Sequence, residues 1–215
     1  MEALEDVPYV AARAALPEHL EQRKKRGSDR MRYIADTTEF QIEEPTIVTL
    51  GKFDGRHRGH QKLLRTMMEL KDGTGYPTAI FTFGTAPGTA VTGQPQTVIT
   101  TNLERRANME KVGIDYLVEY PFTQETRHME PEAFVKDILA GRMHAREIVV
   151  GPDCSFGYKG AGNADLLSAM AHDLGYHLHV IEKEKDHRRD ISSTYIREEL
   201  EKGNVEKANQ LLGQP

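Results

Sequence analysis

One stretch limits what this chain can fold into more than any other: Gly51-Lys52-Phe53-Asp54-Gly55-Arg56-His57-Arg58-Gly59-His60. It lies between the apolar run Ile47-Val48-Thr49-Leu50 and an amphipathic segment from Gln61 to Leu70. A buried strand that feeds a glycine-containing turn and then a helix leaves backbone N–H groups free at the helix start, where the helix dipole favours an anion. The order therefore predicts a phosphate-binding strand–turn–helix. His57 and His60 stand three residues apart, which puts both on one helix face, and Gly59 takes away a side chain that would keep a ligand off the backbone. A lone histidine in a turn is more often solvated or satisfied in a core, and a single glycine-rich turn is a weak signal. Here strand, helix, glycines and histidine spacing coincide.

Downstream, strand and helix patterns alternate. A strand over Arg32 to Ile34 precedes the signature, and Thr78 to Phe83 is a β-rich apolar run suited to a central parallel strand. The Gly/Pro/Thr-rich loop from Gly84 to Gln96 follows it, at the kind of strand end where open α/β sheets bind ligands. Thr101 caps a helix from Leu103 to Val112, with Glu104 in its first turn and Gly113 as its stop. Tyr116 to Tyr120 is the next strand, Pro131 opens a helix over Glu132 to Leu139, and Glu147 to Val150 is a buried strand entering Gly151-Pro152-Asp153-Cys154-Ser155-Phe156-Gly157. A helix from Ala164 to Leu174, stopped by Gly175, and a strand from His177 to Ile181 come next. This alternation predicts an α/β fold, a doubly wound parallel sheet with right-handed crossovers.

The 215 residues suffice for one α/β domain with appendages. Residues 1–30 read as a flexible tail: Pro8 and Pro17 interrupt any period, a helix over Val10 to Leu20 has a narrow apolar face, and the basic run from Arg23 is diluted by acidic neighbours. The domain is expected over 31–215, with Met31 a candidate native start. A net charge of -5 and a pI near 6.0 give no overall reason to bind nucleic acid or an anionic membrane, so any anion site is local. The single cysteine, Cys154, excludes an internal disulfide and suits a reducing compartment. No apolar run is long enough to span a bilayer and no signal-peptide core is present, so a cytoplasmic protein is expected.

A second constellation is Asp190-Ile191-Ser192-Ser193-Thr194-Tyr195-Ile196-Arg197. It reads as a loop, a run of hydroxyl caps and a helix. Hydroxyls at a helix start are commonly simple caps, but Arg197 lies one turn in, on the side of the caps, where its guanidinium forks onto an anion held by the N-terminal amides. The two constellations together resemble the Rossmann-like nucleotidyltransferases with a His-x-Gly-His signature. Gly51-x-Phe53-Asp54-Gly55-x-His57-x-Gly59-His60 is similar to their FAD synthetase branch, and Ile191-Ser192-Ser193-Thr194-x-Ile196-Arg197 matches the family's second motif, which holds β- and γ-phosphates. Val149-Val150-Gly151-x-Asp153, Phe156-Gly157, Gly160-x-Gly162 and Asn209-Gln210-Leu211-Leu212-Gly213 extend the resemblance from about Met31 to the end of the chain.

The resemblance implies the FMN adenylyltransferase module of bifunctional riboflavin kinase/FAD synthetases: MgATP and FMN give FAD and pyrophosphate, with Mg²⁺ carried mainly on the phosphates. Because the chain stops at Pro215, no riboflavin kinase activity is expected. By this resemblance His57, His60 and Arg197 are the catalytic candidates. Gly51, Phe53, Asp54, Gly59, Ser192, Ser193 and Thr194 fall to ATP, and Phe83, Asp153, Phe156 and Gly157 to FMN. For Asp54 two roles stand open, a metal-bound water or a turn cap, and for Phe83 and Phe156 two more, ring stacking or core packing. The sequence departs from the family at Lys52, commonly Asn, and at Arg56, commonly small and apolar. It also lacks the family's Pro-His-Pro loop, where Phe83-Gly84-Thr85-Ala86-Pro87 stands, and carries Cys154-Ser155 in place of an aromatic–basic pair. The first two changes add positive charge beside the phosphates; the others fall on the flavin side.

Three other readings compete: a related adenylyl- or cytidylyltransferase acting on pantetheine phosphate, nicotinamide mononucleotide or a sugar or polyol phosphate; a flavin or nucleotide sensor without catalysis; and a nucleic-acid module, against which stands the absence of a basic stripe. His172, His177 and His179 are read as structural or surface groups with no carboxylate or cysteine to complete a metal set, and His187-Arg188-Arg189 as a solvated loop.

Overall fold

A computed structural model describes residues 30–84 and 97–213. The expected tail up to residue 29 and residues 85–96 of the long loop, including the flavin-side stretch Thr85 to Thr89, lie outside the described residues. One parallel sheet organises the rest. Its strands are β1 (Arg32–Ala35), β2 (Thr46–Leu50), β3 (Thr78–Phe83), β4 (Tyr116–Tyr120), β5 (Ala145–Val150) and β6 (His177–Val180), in the order β1-β4-β3-β2-β5-β6. All five pairings are parallel. The inner strands are rich in Ile, Val, Phe and Thr and are buried along nearly their whole length, as strands covered on both faces must be.

From β2 the chain steps outward through β3 to β4, then returns to place β5 and β6 on the other flank of β2. The connections after β2 and β5 thus leave in opposite directions, and a crevice opens beyond their C-terminal ends. In open α/β sheets such a switch point is where ligands bind. The loop Gly51–His57 follows β2 and the loop Gly151–Gly157 follows β5, so this topology sets both at the same crevice.

On one face, α1 (Arg58–Thr74) and α2 (Asn102–Val112) pack Leu64, Met67 and Met109 on Ile47, Ile80, Leu117 and Val149. On the other, Phe134, Ile138 and Leu139, with Leu167 of α4 (Ala164–Leu174), cover Val48, Phe81, Val118 and Ile148. The helix expected over Glu132 to Leu139 takes another form: one α-turn, α3 (Pro131–Ala133), runs directly into a π-helix from Phe134 to Arg142. Gly141 admits the tighter approach, since a Cβ there would stand 3.1 Å from the Lys136 carbonyl oxygen. Two carbonyls at that end are taken up from outside, by Gln41 Nε2 on Gly141 O and by the Ile42 amide on Arg142 O.

Sequence periodicity did not resolve three short elements near the C-terminus. A hairpin of β7 (Lys185–Asp186) and β8 (Arg189–Asp190) precedes α5 (Ser193–Glu201), and α6 (Val205–Leu212) follows it. Ile191, Tyr195, Ile196, Ala208 and Leu211 form a separate small core there, with Ile99 packed against it. The hairpin is tied to α5 and α6: Asp186 accepts from Tyr195 Oη at 2.8 Å and Lys207 Nζ at 2.9 Å, and Arg189 lies 3.9 Å over the Tyr195 ring while pairing with Glu198. His187, Arg188 and Arg189 are exposed, as a solvated loop would be, and the planar cation of Arg189 also finds an aromatic face and a carboxylate on α5.

Candidate active site

His57 is the N-cap of α1, and its Nδ1 accepts from the His60 amide at 3.3 Å. That leaves the proton on Nε2, so His57 presents a donor outward. His60 Nδ1 lies 3.2 Å from the Gly55 carbonyl, which can only accept, so the proton of His60 sits on Nδ1 and its Nε2 is an acceptor. The two rings stack with centroids 3.7 Å apart, and the buried Phe53 ring lies 4.8 Å from His60. Burial pushes the His57 pKa down to about 3, with His60 adding to the effect. His60 is pushed down to about 4, also by burial, against the opposing pull of the Gly55 carbonyl, Asp54 and Asp153. Both imidazoles are neutral near pH 7. The pair supplies hydrogen-bonding groups and no formal charge.

Positive potential comes instead from two helix ends. In the first turn of α1, the His60 amide is satisfied by the His57 cap, which leaves the Arg58 and Gly59 amides without an intrahelical acceptor. α5 repeats this arrangement: Ser192 Oγ caps the Tyr195 amide, and the Ser193 and Thr194 amides are left over. A direct bond joins the two ends, because Ser193 Oγ donates to the Asp54 carbonyl at 2.7 Å. Two dipole-positive termini whose free amides meet no acceptor among the described residues, tied together in one crevice, are suited to a chain of phosphates.

Arg197 does come round to this place, but it is already paired. Its Nη1 donates to Asp54 Oδ2 at 2.8 Å and its Nη2 reaches Thr194 Oγ1 at 3.4 Å. Asp54 Oδ1 meanwhile accepts from the Ile99 and Thr100 amides at 2.8 and 3.0 Å. The Asp54 carboxylate therefore does not cap its own turn: it ties down two amides of a distant segment and pairs with Arg197. Among the hydroxyls, Ser192 is a cap, Ser193 a cross-link and Thr194 a contact of Arg197. Gly51 and Lys52 are exposed at the end of β2. Among the described residues, Thr49 Oγ1 and Arg56 Nε are buried polar atoms with no hydrogen-bond partner, and both lie in or beside the first signature.

Gly59 also makes room within the fold. A Cβ there would stand 3.2 Å from His57 Nδ1 and 3.3 Å from its Cε1, so the missing side chain makes room for the imidazole.

The flavin-side candidates are less uniform. Phe83 is half-buried at the end of β3, with its ring 5.4 Å from Phe81 and 5.0 Å from Phe122. Phe156 is buried 5.3 Å from Phe134, and its ring occupies the space a Cβ on Gly162 would need. Gly157 adopts φ 71°, where a Cβ would also strike Pro131. Phe156 and Gly157 thus shape the loop by packing. Asp153 is open to solvent and pairs with Lys183 at 3.0 Å, and Lys183 reaches Asp190 at 3.2 Å. Lys183 joins the loop after β5 to the loop before α5. Sequence reasoning missed it because Glu182-Lys183-Glu184-Lys185 reads as ordinary solvated charge. Cys154 is half-buried, and burial pushes its thiol up to about 11, so it stays protonated.

Away from the crevice, a carboxylate pairs with two of the other histidines, in keeping with a structural role for them. Glu147 on β5 accepts from His177 Nδ1 at 3.1 Å and from His179 Nε2 at 2.6 Å across the β5–β6 pairing. The sequence hid this because Glu147 is far away in the chain and meets them only through strand register. Among the described residues, no group of three or more His, Cys, Asp or Glu side chains is arranged to hold a metal ion, and no helix is long and apolar enough to cross a membrane.

A parallel α/β sheet whose switch point carries two facing helix ends and a stacked His-x-Gly-His pair defines a Rossmann-like fold of the nucleotidyltransferase type. Residues 39–195, which include the whole first signature and the second as far as Tyr195, match the family model described as FAD synthetase. The chain belongs to the FAD synthetase family. It is 34% identical over 181 residues to the bifunctional riboflavin kinase/FMN adenylyltransferase of Listeria monocytogenes, a match covering 83% of this chain and 57% of that one. It is 33% identical over 174 residues to a FAD synthetase of the same organism, covering 79% and 69%. The bifunctional relative from Bacillus subtilis shares 31% identity over 79% of this chain and 54% of its own. The chain thus spans little more than half the length of these bifunctional relatives. A Streptococcus pneumoniae crystal structure described as a macrolide-efflux protein superposes with a TM-score of 0.75 at 27% identity, over 85% of this chain and 60% of that one.

Proposed function

We propose that this chain transfers the adenylyl group of MgATP to FMN, giving FAD and pyrophosphate. The observation that carries the reading is the pair of helix ends, α1 and α5, held together by Ser193 and Asp54, with first-turn amides that no described residue takes up. The FMN phosphate is largely a dianion near neutral pH and needs no general base to attack. The barrier is repulsion between it and the triphosphate, and charge that grows on the leaving pyrophosphate. Amide dipoles at fixed positions meet that charge without reorganising, which is the efficient form of electrostatic stabilisation.

In this reading the Arg58 and Gly59 amides and the His57 Nε2–H face the α-phosphate side. Ser193, Thr194 and Arg197 face the β/γ end, with Ser192 shaping it as the cap. His60 acts by stacking on His57 and fixing it. The Asp54 carboxylate is engaged on both oxygens, so the protein offers Mg²⁺ no ready carboxylate there, and Mg²⁺ enters on the phosphates as MgATP. On the acceptor side, Phe83 and Asp153 are the candidates for contact, while Phe156 and Gly157 act through loop shape. A single cysteine in the chain supports a reducing, cytoplasmic site of action.

A second reading keeps the nucleotide half and changes the acceptor. It is favoured by the packing of Phe156 and Gly157 into the fold, which leaves fewer side chains for a flavin ring. The experiment is pyrophosphate release from MgATP with FMN, riboflavin, pantetheine phosphate or nicotinamide mononucleotide as acceptor. FAD formed from FMN, and lost in His57→Ala, is the expected result. Turnover with another acceptor instead would replace FMN.

A further inference from the structure

Asp54 makes more contacts than holding two distant amides requires. Its Oδ1 takes the Ile99 and Thr100 amides of the segment leading into α2, its Oδ2 takes Arg197 Nη1, and its carbonyl takes Ser193 Oγ. Capping two amides needs only an oxygen acceptor, which an asparagine supplies equally well. The negative charge is needed for Arg197 alone. That charge also stands beside a site read here as binding a triphosphate, where it opposes the ligand. With a side-chain exposure of 12%, it is only weakly screened by solvent. A charge that works against ground-state binding and remains in place is accounted for by orientation. An arginine side chain is long and rotamer-rich, and a charge-assisted bond to one nitrogen fixes the plane of the guanidinium and the direction of its other donors.

We infer that Asp54 is a positioning residue: it holds Arg197 in the orientation that meets the leaving pyrophosphate and sets the separation of the α1 and α5 ends. This rests on the proposed adenylyl transfer and deepens it. The consequence is a division between binding and rate. Asp54 weakens MgATP binding in the ground state and raises the rate of the chemical step, because the aligned Arg197 contributes fully only when charge moves to the pyrophosphate.

Asp54→Asn separates the two contributions, since Asn keeps an acceptor for the Ile99 and Thr100 amides and loses the charged link to Arg197. The expected result is a thermal midpoint close to that of the parent, a KM for MgATP equal or lower, and a kcat at least tenfold lower. Arg197→Lys gives a comparable fall in kcat, and the double variant is no slower than Arg197→Lys alone, because each change breaks the same link. A higher KM with kcat intact, or additive losses in the double variant, would overturn the proposal. So would a raised Mg²⁺ requirement in Asp54→Asn, which would make Asp54 a holder of metal-bound water. Calorimetric titration of MgATP onto parent and Asp54→Asn needs no acceptor: weaker binding by the variant overturns the positioning role. A parent that binds MgATP and makes no FAD overturns the functional reading alone.

Discussion

A methyl group added to Gly59 would press on the His57 imidazole from 3.2 Å, and the ring cannot retreat freely because it is stacked on His60 at 3.7 Å and accepts from the His60 amide. Gly59→Ala is therefore expected to shift the ring by a few tenths of an ångström. The fall in kcat/KM should be on the order of tenfold to a hundredfold, as small misplacements of aligned groups produce. The stability change should stay within about 1 kcal/mol, the size of a helix-propensity effect. Steady-state kinetics beside urea unfolding separate the two, and an unchanged kcat/KM would show that His57 tolerates displacement. The His-x-Gly-His spacing was legible in the sequence. The reason for its glycine was not, because it depends on where the His57 ring folds back. Phe53 is similar: its φ of 49° and its place beneath His60 follow from the closed turn and carry no signal in residue order.

At the scale of elements, local chemistry reads most clearly where it is self-contained. Thr101 and Glu104 form the capping box of α2, and Gly113 ends that helix in the left-handed conformation, as the order Thr-x-x-Glu and a trailing glycine announce. What ties α2 to the sheet was not announced. Glu119 on β4 accepts from Arg105 at 2.7 Å, Arg106 at 2.8 Å and the Tyr33 hydroxyl of β1 at 2.7 Å. Burial works to raise its pKa, yet the bonds from Arg106, Tyr33 and Arg105 hold the carboxyl below its usual range. Glu119→Ala would leave Arg105, 9% exposed, without its counter-ion. Removing one partner of a buried ion pair costs about 3–5 kcal/mol, and the urea midpoint should fall accordingly. A loss below about 1 kcal/mol would mean that water or a rearranged Arg106 replaces the carboxylate. The π-helix from Phe134 to Arg142 belongs to the same lesson: its apolar pattern fits an α-helix, and the donors that take up its last carbonyls, Gln41 and Ile42, come from far off in the chain.

For the whole molecule, acid is the condition that tests the buried site. His57 and His60 titrate near 3 and 4 in the fold against 6.5 in an open chain. Between those values the unfolded chain binds protons that the folded one does not. Their contribution to stability is thus complete above about pH 6.5 and is lost as pH falls towards 4. The thermal midpoint should be flat from pH 8 to 7 and decline below 6.5, with a shallower decline in His60→Gln. Equal slopes in the two proteins would show that His60 is not held neutral by burial. The sequence by itself determined the parallel α/β class, most of its strands and helices, and the two signatures, because strand and helix periods, caps and glycine stops are properties of neighbouring residues. Tertiary structure alone decided that the ends of α1 and α5 share one crevice, that Asp54 takes Arg197, that Glu147 bridges His177 and His179, and that the site histidines are neutral. Each of these depends on strand order and burial, which bring together residues the chain keeps far apart.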